Sequence, residues 1–144
     1  MNYSRRQLGG LLPALMAAAA QASADSGVLP SKCYPYESLP VKTNPKTHNE
    51  TRPVFNGELH TGVPFEVHIT TLAPGQMPHP PHQHVHDEMI LLQKGTLEVT
   101  IQGKSTTIGT GSVAYVHSND LHGWKNIGDT PAEYFVVAVG AQKA

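Results

Sequence analysis

Gly75-Gln76-Met77-Pro78-His79-Pro80-Pro81-His82-Gln83-His84-Val85-His86-Asp87-Glu88 runs on to a further glycine at Gly95. Pro80 and Pro81 fix φ and hold the approach extended. In an extended segment side chains alternate, so positions 82, 84, 86 and 88 share one parity. His82 and His84, two residues apart, can therefore converge on one ion. Glu88, at the start of the next strand, can reach the same point across a short bend.

A second stretch, Gly111-Ser112-Val113-Ala114-Tyr115-Val116-His117-Ser118-Asn119-Asp120-Leu121-His122-Gly123-Trp124-Lys125-Asn126, supplies the remaining chemistry. Asn119-Asp120 reads as a turn, since both residue types tolerate unusual backbone angles. His122 then projects from the strand after it. Trp124 has the same parity and is expected in the core or on a pocket floor.

Around these stretches the pattern is of short strands. Residues 65–70 alternate, with Phe65, Val67 and Ile69 on one face, and residues 97–101 alternate again before Gly103. Further strands are expected over 88–93, up to 108, and over 113–116, 121–126 and 134–139. Separated by Gly, Pro, Asn and Asp, they indicate an all-β sandwich or barrel.

On these residues the chain resembles the cupin family. The first family motif is Gly, five or six residues, His-x-His, three or four residues, Glu, six residues, Gly; Gly75, His82, His84, Glu88 and Gly95 match it. The second is Gly-x5-Pro-x-Gly-x2-His-x3-Asn; Gly111, His122 and Asn126 match, with His117 in place of Pro and Asn119 in place of Gly. The motifs span residues 75–126, and the strand pattern extends the likeness to roughly 52–140. The resemblance implies a single jelly-roll barrel binding one divalent metal ion through His82, His84, Glu88 and His122.

Such a donor set suits Mn, Fe, Ni, Co or Zn. In octahedral geometry it leaves two adjacent positions for water, substrate or oxygen. The small quercetinase-like cupins then suggest a metal-dependent dioxygenase acting on a chelating, oxygen-rich small molecule, with Glu88 as the catalytic base. A non-oxidative isomerase or lyase, or a binding protein without turnover, are the alternatives, because this fold hosts many activities. His117 is expected beside the site or against substrate. His86 is expected at an exposed position, although its parity would let it replace a ligand. His79, before the prolines, is expected at the barrel mouth, and His60 and His68 are left open between pocket and solvent.

Composition narrows the field further. The 144 residues suit one compact domain, and a net charge of −1 with 15% charged residues gives no electrostatic reason to expect a nucleic acid partner. Nine histidines raise the prior for a metal site. The lone Cys33 excludes an intramolecular disulfide and a cysteine-rich zinc site.

Residues 1–24 read as a signal peptide. Arg5-Arg6 precede an apolar run from Leu8 to Ala20, and Ala20, Ala22 and Ala24 form overlapping Ala-x-Ala cleavage sites. Ser4-Arg5-Arg6-Gln7-Leu8 resembles a twin-arginine export motif. A periplasmic or secreted protein without membrane attachment after processing is therefore expected. Residues 25–56, with prolines at 30, 35, 40, 45 and 53, are expected to be an extended arm, neither helix nor inner strand, leading into a barrel over 57–144. The arm's aromatic residues suggest burial against a second copy, and hence a homodimer.

Overall fold

The computed structural model describes residues 27–141. It is all-β. Its strands are β1 (Lys42–Thr43), β2 (Glu50–Glu58), β3 (Pro64–Leu72), β4 (Asp87–Lys94), β5 (Thr96–Ile101), β6 (Lys104–Gly109), β7 (Val113–Val116), β8 (His122–Asn126) and β9 (Ala132–Val139). Paired antiparallel, they form a six-stranded sheet, β1-β2-β3-β9-β4-β7, facing a three-stranded one, β6-β5-β8. This is the two-sheet jelly-roll arrangement, and every strand expected from the alternation is present.

The core lies between the sheets. Leu72, Ile90, Leu92, Tyr134 and Val136 from the large sheet meet Leu97, Val99 and Trp124 from the small one. In β4 the buried positions are Glu88, Ile90 and Leu92, alternating with half-buried Met89 and Leu91. Glu88 thus faces inward because it shares parity with the core leucine and isoleucine. In β8 the inward set is His122, Trp124 and Asn126. Gly95, at φ +92°, joins β4 to β5; a Cβ there would stand 2.7 Å from the Ala132 Cα, so only glycine fits.

Two expectations about the arm change. Strand β2 reaches back to Glu50, inside the segment read as an extended arm. Pro53 is tolerated because β1 pairs only with Glu50 and Thr51, leaving the rest of β2 as an edge, and because the register shifts between Pro53 and Phe55. The arm's aromatic side chains also find partners within the chain. Tyr34 packs on Phe55 and Phe55 on Phe65, with ring centroids 5.2 and 5.3 Å apart. Arg52 lies over the Tyr36 ring, and the Tyr36 hydroxyl donates to Glu133. The expected signal peptide over 1–24 lies outside the described residues.

Candidate metal centre

Two chain segments meet here through a small piece of sheet. His82 N–H donates to the His122 carbonyl (2.9 Å) and His122 N–H donates to the His82 carbonyl (3.0 Å). This isolated antiparallel bridge locks the His-x-His segment to the start of β8. Pro81 packs beside it against Gly123, where a Cβ would come within 3.2 Å of Pro81. Asn119 adopts φ +65°, so asparagine supplies the left-handed turn for which the family pattern uses glycine.

The rings gathered by this bridge are close. His122 lies 4.7 Å from both His82 and His84, centroid to centroid, and His82 lies 5.1 Å from His84. One nitrogen from each lies within 4.8 Å of the others. Glu88 completes the group: its Oε2 is 3.2 Å from His84 Nε2 and its Oε1 3.8 Å from His122 Nε2. The structure therefore brings together all four residues expected as ligands. Glu88 and His122 are buried, at 8% and 1% exposure; His82 and His84 are half-buried.

The hydrogen bonds decide which nitrogens can accept an ion. His84 Nδ1 is 2.9 Å from the His86 carbonyl, and His122 Nδ1 is 2.8 Å from the Asp120 carbonyl. A carbonyl only accepts, so both Nδ1 atoms carry a proton, and in the neutral ring it is Nε2 that presents the lone pair. Those two Nε2 atoms are buried without a hydrogen-bond partner. Unpartnered buried polar atoms are costly and uncommon, so their convergence is the local feature that asks for a cation. Burial, and then the charges of neighbouring histidines, hold His82 at about 4, down from 6.5. At neutral pH it is therefore in the neutral form that binds metal. The donor set fits a borderline divalent ion.

His86 departs from its expectation. It is half-buried and stacks on His84 at 3.6 Å with an interplanar angle of 7°, its Nε2 3.6 Å from Glu88 Oε2. His84, His86 and Glu88 form a second donor group, which shares His84 with the group of His82, His84 and His122. Burial, followed by the nearby His84, lowers its pKa. His117 departs the other way: it is exposed, and its Nδ1 donates to the Ser118 carbonyl, away from the cluster.

A cavity of about 470 Å³ opens beside the cluster, a size suited to a small molecule. Of the four candidate ligands only Glu88 lines it, together with His68, His79, Trp124, Tyr134 and residues of the arm. Trp124 serves both as core and as cavity wall, and its indole N–H donates to the Tyr134 hydroxyl at 2.7 Å. Burial pushes the Tyr134 phenol well above its ordinary 10, so it stays neutral. His79 packs edge-on against His82, 4.1 Å away. His60 is exposed and outside the cavity.

Comparisons with known proteins agree with this geometry. The cupin domain family model matches residues 68–138. A sequence search of curated proteins finds no match. Among solved structures, an RmlC-like cupin from Shewanella frigidimarina aligns with a TM-score of 0.62 at 15% identity, over 77% of this chain and 93% of that one. A predicted oxalate decarboxylase from Thermotoga maritima aligns with a TM-score of 0.62 at 18% identity, over 76% and 100%. The polyketide cyclase RemF from Streptomyces resistomycificus aligns with a TM-score of 0.63 at 15% identity, over 79% and 82%. At such identities the likeness speaks for the fold alone. Strand order and family match agree: residues 68–138 match the cupin domain family model, and the described residues form a two-sheet jelly roll like those of solved cupins.

Proposed function

We propose that His82, His84, Glu88 and His122 hold one divalent metal ion, and that the protein is a metal-dependent enzyme of dioxygenase type acting on a small, chelating, oxygen-rich molecule. The observation that carries the metal is the pair of buried, unpartnered Nε2 atoms of His84 and His122 beside the Glu88 carboxylate. The ion is Mn, Fe, Co, Ni or Zn. When bound, it would supply Lewis-acid polarisation of a ligand oxygen.

Glu88 has a second role in this reading. Alone among the four it lines the cavity, and it is the carboxylate there that can take a proton from a substrate hydroxyl. Its neighbours His84, His86 and His122 hold it at the cavity floor. Glu88→Gln keeps the size and removes the basicity. After metal reconstitution the variant is expected to bind substrate while kcat falls about 100-fold or more, the usual worth of a general base. Unchanged kcat would remove Glu88 as base.

The reaction class is tested by oxygen uptake. The wild-type protein, loaded in turn with Mn, Fe, Co and Ni, would be given flavonols, other phenols and diketones. No uptake with any pairing, alongside turnover of a substrate without oxygen, would favour a non-oxidative isomerase or lyase. That second reading stands beside the first because one fold hosts many activities. Tight binding without any turnover would make it a binding protein.

Assembly and location follow the same reading. Val113 and Tyr115, on the edge strand β7, are 54% and 56% exposed. Paired apolar side chains on an open edge suit a second copy, and a homodimer mass by light scattering at micromolar concentration is expected; a monomer mass would contradict it. Export through the twin-arginine route, to the periplasm or beyond, is expected from Arg5-Arg6. Replacing both with lysine should retain the precursor in the cytoplasm, and undiminished export would remove that route.

A further inference from the structure

The cavity beside the metal cluster is not built by the barrel alone. Strand β1, only two residues long, lays the arm across its mouth. Lys42 pairs in register with Thr51 of β2, Thr51 with Thr70 of β3, and Thr70 with Tyr134 of β9. Directly opposed residues share a sheet face. These four therefore form one row leading from the mouth toward the core, and all four line the cavity.

The row is asymmetric in charge. Its inner end is neutral, since Tyr134 keeps its proton. Its outer end is the Lys42 ammonium, and among the described residues no carboxylate pairs with it. Of the other ionisable groups lining the cavity, His68 already has a carboxylate, its Nδ1 lying 3.2 Å from Glu66 Oε1, and His79 donates from Nδ1 to the Pro80 carbonyl. Glu88, the sole carboxylate lining the cavity among the described residues, stands at the metal end. A cation at the mouth, the candidate metal ligand Glu88 at the other end and threonine side chains in the lining favour one kind of occupant. It is small, rich in oxygen, and anionic at the end away from the metal.

We propose that Lys42 is the specificity determinant of this site, anchoring a carboxylate or similar anionic group on the far end of a metal-chelating substrate. The inference rests on the metal reading above and narrows its substrate class. An ammonium suits a single anionic group because it acts as a compact point charge with three donors. Partial exposure at the mouth screens it, so the contribution is moderate and falls with salt.

The test uses the full-length processed protein loaded with Co(II), whose visible spectrum reports ligand binding, and two 5-hydroxy-4-pyrones as probes. Kojic acid carries a neutral hydroxymethyl group at position 2, and comenate carries a carboxylate there; the chelating oxygens are the same. Wild-type protein is expected to bind comenate about tenfold tighter than kojic acid, the size of one modest charge-assisted contact. The preference should shrink at high salt, vanish in Lys42→Met and persist in Lys42→Arg, with cobalt content unchanged throughout. Lys42 is exposed on a two-residue strand, so the variants should fold, which circular dichroism confirms. A comenate preference that survives in Lys42→Met means that its carboxylate binds elsewhere and overturns the inference. So does equal binding of the two probes, or binding of neither, to cobalt-loaded wild type. A wild-type protein that takes up no cobalt, by elemental analysis, overturns the metal reading first.

Discussion

His84→Ala is expected to weaken divalent metal binding by more than about 100-fold while leaving the barrel folded. The loss of an outer partner of a ligand already costs about 10- to 100-fold in affinity, and a ligand itself should cost more. His84 is the most exposed to this argument because it belongs to both donor groups of the cluster. Its Nε2 is the cluster atom nearest Glu88, at 3.2 Å, and its ring backs onto His86. Alanine thus removes a ligand, a neighbour that positions Glu88, and the surface on which His86 stacks. The backbone bridge made by His82 and His122 is untouched, so the fold has no reason to fail. His117→Ala is the matched control: it removes an exposed histidine outside the cluster and should leave metal content unchanged. Full occupancy in His84→Ala, measured by elemental analysis after dialysis, would contradict the assignment.

The same four residues show what a sequence makes legible. His82, His84 and Glu88 could be read because a period-2 segment stiffened by prolines has a known parity, and parity carries through to side-chain direction. The pairing of that segment with His122 rests on a bridge between residues 40 apart, and only the family spacing pointed to it. His86 had the right parity but was expected outside, because the bend before β4 that turns its ring onto His84 leaves no periodic trace. His117 erred in the other direction: nearness in sequence to His122 is not nearness in space when a left-handed Asn119 turns the chain between them. Lys42 was invisible for a further reason. A strand of two residues has no alternation to read, and its place over the cavity depends on long-range pairing with β2. Proline content misled in the same region, since it forbids an inner strand but not an edge with a register shift.

Asn126→Leu should instead strike the fold itself, lowering stability by about 2–4 kcal/mol in metal-free protein, because three backbone groups, one buried and two partly buried, lose their partners at once. Asn126 ends the second motif and is fully buried. Its Nδ2 donates to the Leu72 carbonyl at 3.0 Å and the Thr130 carbonyl at 2.9 Å, while its Oδ1 accepts from Gly128 N–H at 3.0 Å. One amide thereby ties the end of β3 to the loop leading into β9. Its backbone pairs with Gly75 and Gln76, where the His-x-His approach begins. Leucine keeps the branching at Cγ and removes every hydrogen-bonding atom, while its bulkier methyl groups add some crowding to the loss. Urea denaturation monitored by Trp124 fluorescence measures the effect, and a loss below about 1 kcal/mol would show that the loop is held by other contacts. Run beside His84→Ala, the pair separates two uses of one motif. His122 belongs to the metal cluster, whereas Asn126, four residues on, fixes the backbone that brings His82 and His122 together. The first variant should lose metal and keep its fold; the second should lose stability even when no metal is present.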